Sequence, residues 1–410
     1  MSEPVIVVYT SGSASPLELA ADADGFDLLF AVPVGVAPEA LVDLLGAVGE
    51  VVDVTDETAG AAALAARGPA GIVAFSDQDL PLARRLAHRL GLRYHTQDTV
   101  AAATDKHLQR QRLGEAGLRV PRFRLLTGPG QAAQALAEVG TPAVLKPVRG
   151  AASRQTYRLD GPDDALRHAA HAFASGDADR FVIEEMLVGS PSVAGPGLGD
   201  YVSVEVLLWR GTVVCQVLNS RLPLQEPFRE QGFLVPGLLP PDVEAEAHRI
   251  SALACRALGI EDGWADVELK LTADGPVVIE VNARLGGYVA ALLDRSYGVE
   301  AVRLAFEVAV GREPLVTLGE PVAAAYCYQI LPPVGALRLA SWGEIARLTE
   351  RPDVLSVVLT AQAGDPVDWR LGSLGTLGVV EGLTERPEDV LTAVRAIERA
   401  LAEQVVFSSV

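Results

Sequence analysis

Cysteine is scarce: Cys215, Cys255 and Cys327 are the three in 410 residues, far apart and each in an apolar context. That spacing excludes a disulfide scaffold and predicts buried free thiols. Basic charge is in deficit too. Lys and Arg number 34 against 53 Asp and Glu, a formal net charge of −19, which argues against a protein that grips nucleic acid through a basic surface. A local basic pocket for a small anion remains compatible with it. No stretch approaches the roughly 20 apolar residues of a membrane helix, and "MSEPVIVVYTSG" lacks the basic start of a signal peptide. The expectation is a soluble cytoplasmic protein with neither nucleic-acid nor membrane partners. G-x-G-x-x-G is missing, so a dinucleotide site in the first hundred residues is not expected. No internal repeat is evident either.

What is present is a chain that can build large cores, 49% hydrophobic and 21% charged, long enough for two to four domains. "PVIVVYTSGS", "DLLFAVPVG", "EVVDVTD" and "GIVAFSD" are short apolar runs separated by helical stretches such as "LPLARRLAHRLG". That alternation predicts a parallel α/β domain over 1–100. In "TDKHLQRQRLGEAGLRVPRF", Thr104 or Asp105 can cap a helix that Gly117 ends. "TPAVLKPVRGAASRQTYRL" reads as strand, loop, strand, with Lys146 at the first strand's end. "RFVIEEMLVG" is a strand ending in two acids, and "DYVSVEVLLWRGTVVCQVLNSRL" a hairpin turning at Arg210-Gly211. "GSPSVAGPGLG", 189–199, is expected as a mobile surface loop. From about 316 to 410 a final α+β unit closes on the helix "RPEDVLTAVRAIERALAEQ".

The chemistry concentrates in "WADVELKLTADGPVVIEVNARLGG". Alternate residues of a strand share a face, so Asp266, Glu268 and Lys270 share one, and Glu280, Asn282 and Arg284 share another. Ile279, Val281 and Ala283 are expected on the core side. An antiparallel hairpin turning across 272–276 sets Leu271 against Val277, Glu268 against Glu280 and Asp266 against Asn282. Two carboxylates directly across a ladder repel at roughly 5 Å. A shared proton or a cation must offset that, and two carboxylates with an amide suit Mg²⁺ completed by phosphates and water. A solvated polar face is the bland alternative. Lys106 at a helix start and Lys146 at a strand end could converge on the phosphates. In "RGAASRQT", backbone N–H groups and Ser153 could cover them as a lid over 150–156.

In this order, "TDK", "VLKP", "VIEEMLVG", "ADVELKL" and "IEVNARLGG" resemble the ATP-grasp superfamily over about 100–290. Within it the chain is most similar to the L-amino acid ligases and related carboxylate-amine ligases. The resemblance implies an ATP-grasp fold, α/β and α+β, divided as follows. A Rossmann-like parallel α/β domain occupies 1–100, a small lobe 101–187, a large lobe with the metal site 188–315, and an α+β domain 316–410. It implies ATP with two Mg²⁺ ions (Mn²⁺ as an alternative), held by Glu268, Glu280 and Asn282. Lys106 and Lys146 would contact phosphates, and Glu184, Glu185 and Leu187 would hold adenine. Glu205 and Asp200 would complete the nucleotide site, and Arg284, Glu230 and Ser153 would serve catalysis. The implied reaction joins a carboxylate to an amine, of the amino-acid kind, through an acyl phosphate, releasing ADP and phosphate. A homodimer is left open.

A carboxylase or purine-pathway ligase of the same superfamily, or a non-catalytic nucleotide-binding protein, are the competing readings. Two positions depart from the family. The acid often found two residues before "SVE" is Tyr201 here, with Asp200 displaced by one. Such a shift turns a side chain to the other face, which sets Asp200 against the ribose role. Glu230 is followed three residues on by Phe233, where relatives acting on amino acids often carry His. In the expected loop "EPFREQGFLVPG", Phe233 either packs on the core or lines a pocket for a less polar carboxylate.

Overall fold

The computed structural model describes residues 2–150 and 153–408. Among these residues the strands gather into four sheets. β1 (Glu3–Val8), β2 (Phe26–Val32), β3 (Glu50–Asp53) and β4 (Gly71–Ala74) form a parallel sheet in the order β3-β2-β1-β4. These are the four apolar runs of the first hundred residues, and they are apolar throughout because helices cover both faces. Antiparallel neighbours make the second sheet, ordered β5-β8-β6-β7. It comprises β5 (Phe123–Leu126), β6 (Ala143–Pro147), β7 (Tyr157–Leu159) and β8 (Phe181–Glu185).

The third sheet has eight strands. β9 (Tyr201–Trp209) and β10 (Thr212–Arg221) are the long hairpin, with Arg210 and Gly211 at φ 50° and 76° in its two-residue turn. β11 (Gly232–Val235), β12 (Gly263–Thr272), β13 (Gly275–Asn282), β14 (Ala324–Ile330), β16 (Ser356–Leu359) and β17 (Gly378–Thr384) complete it. The order is β13-β12-β9-β10-β11-β14-β17-β16, so strands from beyond residue 315 share one sheet with those before it. β15 (Arg338–Ser341) pairs with β18 (Val406–Ser408) apart from it.

Alternation along β9 shows how this sheet makes both core and site. Val202, Val204, Val206 and Leu208 pack with Ala247, Ile250 and Ala254 of the helix Pro241–Leu258. On the other face Leu207 and Trp209 join a second core with Leu292 and Phe306. Ser203 and Glu205 share that other face, buried but polar. Asn219 and Arg221 of β10 continue them, while Cys215 and Val217 of the same strand sit in the core. One sheet face thus turns from apolar to polar along its strands. All three cysteines are buried free thiols. Among the described residues no helix is long and apolar enough to cross a membrane.

Three local expectations are corrected. "EPFREQGFLVPG" is not wholly a loop: residues 232–235 form β11, paired with β10 and β14. The four residues Gly232–Val235, ahead of a proline, carry too little periodicity to announce a strand; waiting partners on both sides make it one. "GSPSVAGPGLG" is not wholly a loop: it holds a short helix and is tied to the sheet at both ends. The Ser190 N–H donates to Leu271 O (2.7 Å) and the Gly199 N–H to Arg221 O (2.7 Å), while Ala194 of the short helix Pro191–Ala194 is buried. The third correction concerns hairpin register, described below.

The first sheet docks on the rest through a close backbone approach. A Cβ added at Gly71 would lie 2.2 Å from the carbonyl oxygen of Ala309, at the end of the helix Ala301–Ala309. Gly71→Ala is expected to destabilise the protein by about 1–3 kcal/mol through overpacking. Chemical denaturation checks this, and an unchanged midpoint would mean that the contact yields freely.

Candidate active site

The β12–β13 ladder pairs Glu268 with Glu280 and Asp266 with Asn282, as the sequence predicts. The path to that pairing differs. Thr272 pairs with Gly275 and Leu271 with Pro276, so the turn is two residues, tighter than expected. A bulge between Glu268 and Leu269 on one strand, opposite Ile279 on the other, then restores the register by one place. Its cost is a changed face: Val278 and Val281 enter the core, while Ile279 lines a cavity beside Glu280.

That cavity, of about 540 Å³, opens between the second sheet and the eight-stranded one. Its size suits a drug-sized or nucleotide-sized molecule. Lys106, Lys146, Glu184, Glu268, Lys270 and Glu280 are among its walls. Lys106 starts the helix Lys106–Glu115, whose N-cap Asp105 accepts from the Leu108 N–H. Its ammonium donates to Glu280 Oε1 (2.7 Å) and Gly150 O (2.8 Å). Lys146, at the end of β6, lies 2.8 Å from Glu184 Oε2 at the end of β8. Burial lowers the Lys146 pKa despite that partner. Burial pushes Glu184 upward, but Arg110 and Lys146 outweigh it and hold its carboxyl down to about 2. Arg110 was missed in the sequence, though it lies one helical turn after Lys106 and hence on the same face.

The two facing acids differ. Burial would raise Glu280, yet Lys106 and Lys146 bring it below the usual range. Glu268 has no ion-pair partner among the described residues. Burial first, then Glu230 and Asp266, push its carboxyl up to about 8. The Oδ1 atom of Asp266 is buried without a hydrogen-bond partner, and Arg221 Nη2 lies 3.8 Å from it. This donor set fits a divalent cation: an acid short of positive charge beside an ionised one, an amide at Asn282, and a carboxylate oxygen of Asp266 that accepts no hydrogen bond. Among the described residues no three His, Cys, Asp or Glu side chains gather as a site by themselves, so further ligands would come from phosphate and water.

Arg284 follows on β13's exit. It donates from Nη1 to Asp266 Oδ2 (3.0 Å) and from Nε to Asp77 Oδ2 (3.0 Å). Asp77 comes from the loop after β4, and its link to Arg284 was invisible in sequence. Arg284, Asn282 and Glu205 are not among the cavity walls; Glu205, fully buried, accepts from the Gly286 N–H (3.0 Å) and from Asn219 Nδ2 (3.1 Å). Burial and then Asp266 raise its pKa well above the ordinary. Glu230 lines the cavity and accepts from Arg221 Nη1 (2.9 Å).

Ser153, Glu185, Leu187 and Asp200 also line the cavity. Ala151 and Ala152, the centre of the expected lid, lie outside the described residues. The Glu185 and Met186 N–H groups already donate to Arg122 O and Pro142 O. Asp200 pairs with Lys270 (2.6 Å). Phe233 is buried in β11 between the Arg221 guanidinium, 4.2 Å from its ring centroid, and the Tyr288 ring at 6.2 Å. It packs as core and is not among the cavity walls.

Residues 139–291 match the ATP-grasp domain family. Over that stretch the chain is similar to the ATP-grasp domain, and its fold there is the ATP-grasp fold. Over 279 residues it is 30% identical to carnosine synthase 1 of Gallus gallus, a match covering 62% of this chain and 29% of that protein. Over 206 residues it is 28% identical to D-alanine–D-alanine ligase of Cupriavidus metallidurans, covering 49% of this chain and 61% of that protein. The chain thus spans under two thirds of these curated relatives. It superposes on the crystal structure of L-amino acid ligase from Bacillus licheniformis with a TM-score of 0.82, 100% of this chain on 99% of that one, at 20% identity. That likeness is one of fold.

A carboxyl raised by folding favours the folded state at low pH and loses that contribution as pH climbs from its unfolded value to its folded one. For Glu268 this window runs from 4.5 to about 8. Without added metal, the thermal midpoint is expected to fall across pH 5 to 8, and Glu268→Gln to flatten that fall. A scan of both proteins checks it; parallel curves would place the titration elsewhere.

Proposed function

We propose that this protein is an ATP-dependent carboxylate–amine ligase, forming a peptide or related amide bond and releasing ADP and phosphate. The observation that carries this reading is the facing pair Glu268 and Glu280, under Lys106 and Lys146, with Arg284 next along the chain. Such a set neutralises phosphate charge, which is most of what phosphoryl transfer asks of a protein. The ligases and the synthase among its relatives support the choice of reaction.

In this reading ATP enters the cavity with its phosphates toward Lys106 and Lys146. Glu280 and Glu184 hold those lysines in place until phosphate oxygens compete for them. Mg²⁺ held by Glu268, Glu280 and Asn282 would supply Lewis-acid neutralisation of phosphate charge. Arg284 steadies the γ-phosphoryl group as it passes to the substrate carboxylate. Its Nη1 is tied to Asp266 and its Nε to Asp77, so the guanidinium plane is set beforehand. The acyl phosphate then meets a neutral amine: nitrogen bonds to the acyl carbon, the carbon–oxygen bond to phosphate breaks, and the proton shed by nitrogen leaves with the phosphate. Ser153 and its neighbours cover the phosphates and keep water out. Glu184, with both oxygens facing cations, acts on Lys146, and backbone groups of Glu185 and Leu187 meet the adenine ring edge. Glu205 acts through Gly286, holding the turn after Arg284. Glu230, oriented by Arg221, faces the substrates.

The test is phosphate and ADP release across a panel of carboxylates paired with amines, amino acids first, with product mass measured. Glu280→Gln and Asn282→Ala are expected to lower Mg²⁺-dependent ADP release by about 10²–10³-fold while circular dichroism stays unchanged. Near-normal turnover in either variant would remove the metal assignment. Arg284→Lys replaces a planar fork by a point charge. Its kcat is expected to drop by about 10²-fold or more, with the KM for ATP little changed. Full turnover with weakened ATP binding would sink that role.

A further inference from the structure

Glu280 lies on an edge strand, since β13 ends its sheet. The outer side of an edge strand presents backbone N–H and C=O groups with no ladder partner, and register there is weakly defended. Here the register matters most, because a slip of one residue would turn Glu280 away from Glu268. The strand also carries a bulge immediately before Glu280. Something outside the sheet must hold it.

The helix Lys106–Glu115 does so with three consecutive contacts. Gln109 Nε2 donates to Val281 O (2.9 Å), and the Val281 N–H donates to Gln109 Oε1 (2.9 Å). One side-chain amide thus stands in for a neighbouring strand. Arg110 Nη2 donates to Ile279 O, the carbonyl at the bulge. Lys106 binds the Glu280 carboxylate itself. The residue before Glu280, its own side chain and the residue after it are all gripped by one helix. Gln109 is fully buried and Arg110 is 1% exposed, so these are not surface contacts. Arg110 also places Nε 3.0 Å from Glu184 Oε1, and Glu184 holds Lys146. The same guanidinium therefore joins the acid strand to the phosphate lysine.

We infer that Gln109 and Arg110 are positioning residues of the metal centre, clamping the bulged edge of β13 so that Glu280 faces Glu268. The inference rests on the ligase reading above for what the two acids bind. Removing an outer partner of a metal ligand typically lowers metal affinity by about 10–100-fold. Gln109→Leu removes both Val281 bonds at similar volume. Gln109→Glu keeps the acceptor and loses the donor, and serves if the first variant fails to fold. Arg110→Lys keeps the charge and loses the fork.

Two measurements decide. Calorimetric titration with ADP, with and without Mg²⁺, gives the metal requirement apart from turnover. Amide hydrogen exchange at Val281 reads the clamp directly. In Gln109→Leu, the Mg²⁺ concentration for half-maximal ADP binding should rise about 10-fold or more, with metal-free ADP affinity unchanged and Val281 exchange accelerated. Gln109→Glu and Arg110→Lys should fall between it and the parent protein. Folded variants with the parent's Mg²⁺ dependence would overturn the clamp, as would an equal loss of ADP affinity with and without metal. If the parent protein itself binds ADP with no Mg²⁺ dependence, the ligase reading fails first, and the Val281 exchange still shows whether the edge is held.

Discussion

Two carboxylates face one another across a β-ladder, and most of the surrounding structure answers that repulsion. Glu280 has an ammonium 2.7 Å away and stays below the usual carboxylate range. Among the described residues Glu268 has no such partner, and burial among acids raises it to about 8. The pair is therefore asymmetric: one ionised acid, one that holds a proton near neutrality. A cation held there would compete with that proton. Such an arrangement costs stability at neutral pH, which is the usual mark of a site built for a ligand rather than for folding.

Charge around the pair is organised locally, against the trend of the whole chain. The protein is strongly acidic, yet Lys106, Lys146, Arg110 and Lys270 all line one cavity. Each faces an acid of the chain: Lys106 Glu280, Lys146 and Arg110 Glu184, Lys270 Asp200. In a partly dry cleft these pairings keep the cations in place at little net cost, since an unpaired buried charge would be far worse. Asp77 extends the network to the first sheet. Its grip on Arg284 spans 207 residues of sequence and ties the α/β unit to the exit of β13.

The sequence alone determined the elements whose signals are local. Apolar runs between helical stretches gave the parallel sheet of the first hundred residues, and Arg210-Gly211 gave the long hairpin. Period-two alternation put Glu268 and Glu280, and Asp266 and Asn282, on facing rungs, because two side chains of a strand share a face whatever surrounds them. That pairing was reached by a count that missed two compensating details, a tighter turn and a bulge, which tertiary contacts settle. β11 escaped notice because four residues become a strand only when β10 and β14 offer hydrogen bonds on both sides. Phe233 looked like a candidate pocket residue and is core, since a guanidinium and a second ring close over it. Arg110, Asp77, Arg221 and Gln109 carried no motif. Their roles come from distance in space: a buried polar group must find its partner wherever the fold brings one. Composition and periodicity state which residues want burial or charge; only the packed chain decides which acid meets which cation.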